Sequence, residues 1–278
     1  MKSILENKLV RKIGLVALLC LGSLLVAGPF VWMLFSSFKR IDEFYVFPPK
    51  LLPDNFQLQN YVNLFERINF GRYYVNSLFV TTVQVVLNIV IITTAGYGFA
   101  KYEFKGKKFI FTIILATTMI PWVATIIPLY MLAYKAHAYD TYFGLIFPGL
   151  ADAFSIFLAR NFIQTIPTSF IEAARMDGGG EFLIFRRVVL PQIRPIIAVI
   201  TITKFIGSWN AFQWPLLIVG SDDIRTLPLA VAKLSSQYND QYDLKMAAAT
   251  LAIIPVLIVY IAFQKYFVSG ISLSGVKG

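Results

Sequence analysis

The chain has 278 residues, 57% hydrophobic, 15% aromatic and only 14% charged, with a mean hydropathy of +0.67; soluble domains carry about 25% charged residues, so an ordinary soluble domain is excluded and a membrane protein indicated. The lone Cys20 excludes an internal disulfide and a cysteine metal site, the lone His137 excludes a histidine cluster, and no G-x-x-x-x-G-K-[ST] run is present to bind ATP. A net charge of +10 would suit nucleic acid, but its distribution along the chain assigns it elsewhere.

Six apolar stretches match the roughly 20 residues that cross a bilayer as a helix, at about 13–35, 74–100, 109–134, 142–160, 196–219 and 246–268. The first follows Lys2, Lys8, Arg11 and Lys12, as a signal peptide would. Its apolar core of about 23 residues exceeds the usual 7–15, so it is read as an uncleaved span. Residues 36–73, with Pro48, Pro49 and Pro53, predict an ordered outer loop. Residues 135–141, holding a solvated His137, make a short outer loop, and 220–245 a second sizeable one. The fourth stretch is the weakest because it contains Pro148 and Asp152, and the fifth contains Lys204. An ionisable residue in a span costs roughly 2.5–3.5 kcal/mol and would serve a proton-coupled carrier. Structural pairing or lining of a pathway is the favoured reading of both. No low-complexity segment or inverted repeat is visible.

Six spans place both termini on one side. With the termini inside, the inner segments carry 15 basic and five acidic residues, and the outer segments nine of each. The whole excess of positive charge then lies on one side, which the positive-inside rule assigns to the cytoplasm. A nucleic-acid surface is not needed to explain it.

Residues 167–195 read PTSFIEAARMDGGGEFLIFRRVVLPQIRP, a polar, basic block between the fourth and fifth stretches. Ser169, three residues before Glu172, predicts a capping box. Ala173, Ala174, Arg175 and Met176 favour helix, and Gly178 with Gly179 supplies a stop. A second short helix over about 181–190 is expected to end before Pro191. The prediction is two short helices joined by a glycine elbow, presenting the small side chains of Ala173 and Ala174 to a partner. A plain capped connector is the competing reading. A phosphate cradle at DGGG is disfavoured, since no strand precedes it and no Lys-Ser/Thr follows.

The spacing of Glu172-Ala173-Ala174, Asp177-Gly178 and Leu190-Pro191 resembles the EAA loop of permease subunits in bacterial ABC importers. The run Ser208-Trp209-Asn210-Ala211-Phe212-Gln213-Trp214-Pro215-Leu216, with Arg225-Thr226-Leu227-Pro228-Leu229 and the terminal Gly275-Val276-Lys277-Gly278, is similar to the smaller permease partner of maltose-type carbohydrate importers. Gly179 departs from the alanine usual in that loop, and Val188 from a common isoleucine. The resemblance covers most of the chain from about residue 70. It implies an all-α membrane protein whose residues 1–278 form a single permease domain in the bacterial cytoplasmic membrane. Residues 1–73 would form an N-terminal span and outer loop, and 74–278 a five-span core with the EAA loop at 167–195 between spans four and five.

The resemblance further implies that Glu172, Ala173, Ala174, Asp177, Gly178, Leu190 and Pro191 couple to a partner ATPase. The implied partners are a second, homologous permease, two ATP-binding subunits, an external solute-binding protein and a carbohydrate, with no cofactor and no catalytic residue. The 220–245 loop would enter the binding protein, and Ser274 to Gly278 would touch the ATPase. Trp209, Asn210 and Trp214 are candidates for the substrate pathway, because aromatic faces stack on the C–H face of a pyranose. Packing and interfacial placement compete with that role for every aromatic residue. The alternatives are a gradient-driven carrier or channel using Asp152 and Lys204, and an ABC permease for a non-sugar solute.

Overall fold

The computed structural model describes residues 2–237 and 241–274, and among them all regular structure is helical. Three helices are long and apolar enough to cross a membrane unbroken: Arg11–Ser36, Phe70–Lys101 and Tyr242–Lys265. Three bent pairs supply the rest, giving up to six spans. They are Lys107–Met119 with Trp122–Lys135, bent by 106°, Tyr142–Gly149 with Ala153–Gln164, by 49°, and Glu181–Gln192 with Arg194–Trp209, by 79°.

Each break has a local cause, and each corrects the smooth span expected from hydropathy. Between the halves of the third stretch, Pro121 holds an extended backbone (φ −60°, ψ 137°) and occupies the N-cap of the next helix; its ring fixes φ and removes a donor that helix cannot use. In the fourth stretch, Pro148 and Gly149 end the first half as a short 3₁₀ turn. Asp152 then caps the second half, its Oδ2 accepting from the Ser155 N–H at 2.7 Å. The residue that looked like a charge inside a span is therefore a helix start. The fifth stretch stops at Trp209, with Asn210 as its C-cap, and resumes as Gln213–Ile218. Its preceding segment, Glu181–Gln192, carries Glu181, Arg186 and Arg187 and turns away by 79°, so it lies outside the span.

The chain divides into two compact units. The first holds Met1–Phe70 and Val231–Ile253. Here the 36–73 segment is tied down by polar contacts, as expected of an ordered loop, and contains the helix Gln59–Arg67. Buried Lys39 donates to the Lys50 carbonyl at 2.5 Å and sits 5.3 Å over the Trp32 ring. Glu43 accepts from the N–H groups of Arg40 and Asp54, at 2.9 and 2.8 Å. Asn60 donates to the carbonyls of Ser37 and Lys39.

The second unit holds Gly71–Ala230 and Ile254–Gly278. Its larger core joins Ile92, Ile163, Ile193 and Ile200 around fully buried Ala159. Small residues permit the close approach: a Cβ on Gly96 would lie 2.9 Å from the Ala159 side chain. A second cluster packs Val80, Leu145, Trp214 and Ile218 together. The 220–245 stretch expected as a loop contains the helix Leu227–Gln237. Residues 275–278, where a tail contact was expected, lie outside the described residues.

Candidate functional site

Two places in the second unit bring chemistry-bearing residues together. The first is the elbow between the fourth and fifth stretches. Its leading helix is Thr168–Met176, with Pro167 rather than Ser169 at the N-cap and no side-chain cap bond. The expected capping box therefore does not form: proline starts the helix one residue before Ser169 can cap it, and Glu172 stands exposed beside exposed Ala173.

The helix ends as the glycines predict. Asp177 is the C-cap, and Gly178 follows with φ +81°. Gly178 N–H donates to the Arg175 carbonyl at 3.0 Å and Gly179 N–H to the Ala174 carbonyl at 2.9 Å. This is a Schellman closure, which satisfies the last carbonyls of the helix. The glycine at 179 has a specific reason, because a Cβ there would lie 2.7 Å from the Ala174 oxygen.

The elbow is then clasped. Arg175 Nε donates to Glu181 Oε1 at 2.7 Å. Tyr102, just past the Phe70–Lys101 helix, and Tyr97, in its last turns, donate their hydroxyls to Glu181 Oε2, the latter at 3.3 Å. The Arg175 guanidinium first, and then the Tyr102 hydroxyl, hold the Glu181 carboxyl down at about 2. Lys101 donates to the Ile166 carbonyl at 2.5 Å, just before the elbow begins.

From Glu181 the chain stays helical through Pro191, whereas the proline was expected to end the helix. The turn Phe185–Val189 widens to a π-helix before Leu190–Gln192. Such a widened turn relieves the clash of the proline ring with the preceding carbonyls. Leu190 and Pro191 are half-buried, and Ala174, Asp177 and Gly178 line a groove of about 300 Å³ with Leu183 and Arg187. Apolar Met176 and Phe182 are 88% and 75% exposed on this same elbow. A small groove of mixed charge, flanked by exposed apolar side chains on a rigid turn, suits docking of another protein.

The second place is a cavity of about 280 Å³. One wall is a stripe on the Phe70–Lys101 helix: Ser77, Thr81, Gln84 and Asn88. Their spacing of four, three and four residues puts them on one helical face. Ser77 Oγ accepts from the Leu227 N–H at 2.7 Å. Gln84 donates to the Ile146 carbonyl at 2.9 Å, and Asn88 to those of Gly149 and Leu150 at 2.7 and 3.1 Å. These are the carbonyls released where the fourth stretch breaks. A Cβ on Gly149 would fall 1.9 Å from Gln84 Nε2, so a larger residue there would displace the amide that holds the Ile146 carbonyl. On the facing side, Lys204 lines the cavity and forms an ion pair with Asp152, Nζ to Oδ2 3.1 Å. Structural pairing, the favoured expectation for these two ionisable residues, is thus realised between them.

Of the predicted pathway residues, Trp214 lines the cavity, its indole N–H donating to the Gly144 carbonyl at 2.9 Å and its ring 6.4 Å from Trp122. Trp209 is instead buried, stacked 5.9 Å from Phe205 and edge-on to Tyr74. Asn210 is exposed at the helix end. Sequence reasoning passed over the Ser77-Thr81-Gln84-Asn88 stripe, although its helical spacing in an apolar run was there to be read.

Broken spans around a polar cavity, with a basic elbow outside the apolar layer, define a membrane transport subunit. A family model described as "Binding-protein-dependent transport system inner membrane component" matches residues 55–273. The arabinooligosaccharides transport system permease protein AraQ of Bacillus subtilis (strain 168) is 34% identical over 272 residues, 97% of each chain. The lactose transport system permease protein LacG of Rhizobium radiobacter is 31% identical over 261 residues, 94% of each. The crystal structure of a bacterial ABC transporter involved in the import of the acidic polysaccharide alginate contains a chain similar to this one. Its TM-score is 0.81 at 27% identity, with 92% of this chain and 97% of that one covered. The chain therefore belongs to the family of binding-protein-dependent transport system inner membrane components, the permease subunits of ABC importers.

Proposed function

We infer that this permease imports a carbohydrate delivered by an extracytoplasmic solute-binding protein, with ATP hydrolysed by two partner subunits that dock on the elbow. The observation that carries the coupling role is the Schellman-locked elbow itself. It holds Glu172 and Ala173 exposed on a short, rigid helix, with Asp177 and Gly178 beside the groove. Leu190 and Pro191 stiffen the far side, where the elbow feeds into the Arg194–Trp209 span. The sugar assignment is supported by relatives named for arabinooligosaccharides, lactose and alginate. A second, homologous permease completes the pathway, and residues 1–278 act as one permease domain. Both termini face the bacterial cytoplasm, in keeping with the charge distribution. ATP binding closes the partner subunits, the elbow moves with them, and the spans change which side the cavity faces.

The test is to purify the tagged chain from native membranes in mild detergent and identify what accompanies it. A Walker-motif ATPase and a second permease are expected. Both Glu172→Lys, which reverses the exposed charge, and Gly178→Pro, which removes an N–H that closes the helix, should lose the ATPase and abolish uptake while leaving membrane insertion intact. Normal uptake by both variants would sink the coupling role. Recovery of the chain alone, competent for solute flux without ATP, would favour a gradient-driven carrier.

A further inference from the structure

The elbow is joined by chain to two spans, backward to Ala153–Gln164 and forward through Glu181–Gln192 to Arg194–Trp209. Both routes reach the cavity across a bend, of 49° between Gly149 and Ala153 and of 79° at Ile193. Element ends of this kind absorb movement by changing φ and ψ. The Phe70–Lys101 helix lines the same cavity with Ser77, Thr81, Gln84 and Asn88, and it crosses unbroken. Asn88 and Tyr97 are nine residues apart, so about 14 Å of regular helix separates the cavity wall from the clasp at Glu181. This helix has no direct chain connection to the elbow.

The Glu181 carboxylate supplies a connection. Its Oε1 accepts from Arg175 Nε at 2.7 Å, and its Oε2 accepts from the Tyr97 and Tyr102 hydroxyls. Tyr97 is 6% exposed, with its ring 5.3 Å from that of Tyr102 and 5.4 Å from that of Phe185, so packing fixes its hydroxyl. Lys101 grips the Ile166 carbonyl, which precedes the docking helix, whereas Glu181 is gripped by Arg175, which lies within it. An isolated, exposed ion pair contributes little. Here the two oxygens of one carboxylate hold two different elements, and closing the elbow would need Arg175 alone. We propose that Glu181 is a positioning residue for transport, locking the ATPase-docking helix Thr168–Met176 to the Phe70–Lys101 helix, so that movement of the elbow reaches the cavity wall through an unbroken helix. The proposal rests on the ATPase-docking reading above and deepens it.

The test uses the complete transporter in lipid nanodiscs, with Cys20→Ser and spin labels at two exposed positions, Thr168 on the docking helix and Val90 on the Phe70–Lys101 helix. Their separation is measured without nucleotide and with ATP and vanadate trapped. In the otherwise wild-type protein it should hold to within about 1 Å, below the usual shift of one helix on another. Tyr97→Phe with Tyr102→Phe removes only the two hydroxyls and should let the separation change by about 2–5 Å, from a helix shift to a full turn. Glu181→Ala should do the same, and the triple variant no more, because all three residues act through one carboxylate. A merely structural clasp would lower the melting temperature and leave the separation fixed in both states. If the tyrosine variant fails to assemble, Arg175→Gln, at an exposed position on the elbow side of the clasp, decides instead. A wild-type separation that changes as much as the variants', or variant separations that stay fixed while nucleotide is trapped, overturns the proposal and leaves docking intact. A complex that carries no ATPase removes the docking reading, and the proposal with it.

Discussion

Gly178 is the residue on which the elbow's rigidity can be measured. Its φ of +81° lies in the left-handed region, and a Cβ there would meet nothing within 4 Å. Gly178→Ala is therefore penalised by backbone strain alone, about 1–2 kcal/mol. That strain falls on the closure in which Gly179 N–H donates to the Ala174 carbonyl. Amide exchange of Gly179 reports opening of this closure. One to two kcal/mol shifts such an equilibrium roughly 5–30-fold, so Gly179 should exchange faster by that factor in Gly178→Ala. Amides in the middle of the Phe70–Lys101 helix should not change. Asparagine tolerates the left-handed region better, so Gly178→Asn should fall between alanine and wild type. The assay is hydrogen exchange on the detergent-solubilised complex. Gly179 exchange within twofold of wild type in Gly178→Ala would refute the reasoning, because the elbow would then be closed by something other than this turn.

Three further outcomes follow from the geometry. Gly144→Ala would place a Cβ 2.0 Å from the Ala138 oxygen, which Thr141 Oγ1 already holds at 2.8 Å; overpacking costs about 1–3 kcal/mol or more, so the variant should melt several degrees lower or fail to yield monodisperse complex. Lys204→Met strands the Asp152 carboxylate, and the cost should be about 2 kcal/mol, below the roughly 3–5 kcal/mol of a fully buried pair because the side chains remain 27% and 30% exposed; adding Asp152→Asn should recover most of it in a thermal melt. Glu181 has a depressed carboxyl, about 2 against an ordinary 4.5, so its clasp is complete above pH 4.5 and weakens as pH falls toward about 2. Wild-type Gly179 exchange, corrected for intrinsic rate, should accelerate across that window, while Glu181→Gln should show the faster exchange already at pH 7.

Much of this architecture was legible because apolar length and glycine chemistry are local signals. Gly178 at the end of a run of helix formers predicts a left-handed stop, and that stop is present. The helix start was misjudged because Pro167 and Ser169 both signal an N-terminus two residues apart, and only the tertiary path chooses between them. Pro191 misled for a related reason: one widened turn at Phe185–Val189 lets a helix continue past it, and nothing in the sequence announces that turn. Hydropathy could not reveal the breaks either, since it averages over about 19 residues, whereas the interruption of the fourth stretch occupies only residues 150–152. Trp209 and Trp214 are alike in chemistry and five residues apart, yet only Trp214 reaches the cavity. Their separation depends on the helix ending at Asn210, which again is local in structure and silent in hydropathy.

The breaks and the polar stripe form one arrangement. Interrupting a helix at the depth of the hydrocarbon layer frees backbone carbonyls, and each left unsatisfied there costs several kcal/mol. The break between Ile146 and Asp152 frees backbone carbonyls, and side chains capture several of them: Gln84 of the second span takes that of Ile146, Asn88 those of Gly149 and Leu150, and Trp214 that of Gly144, whose helical donor is lost at Pro148. Asp152 satisfies the restarting helix from the other side and is itself held by Lys204. Removing the stripe would leave the break unaffordable in lipid, and straightening the break would leave the stripe as buried amides without partners. Neither could persist alone, and together they leave a polar hollow in an apolar layer. Such a hollow has a cost in stability that a purely structural bundle would avoid. A transport subunit has the physical reason to keep it.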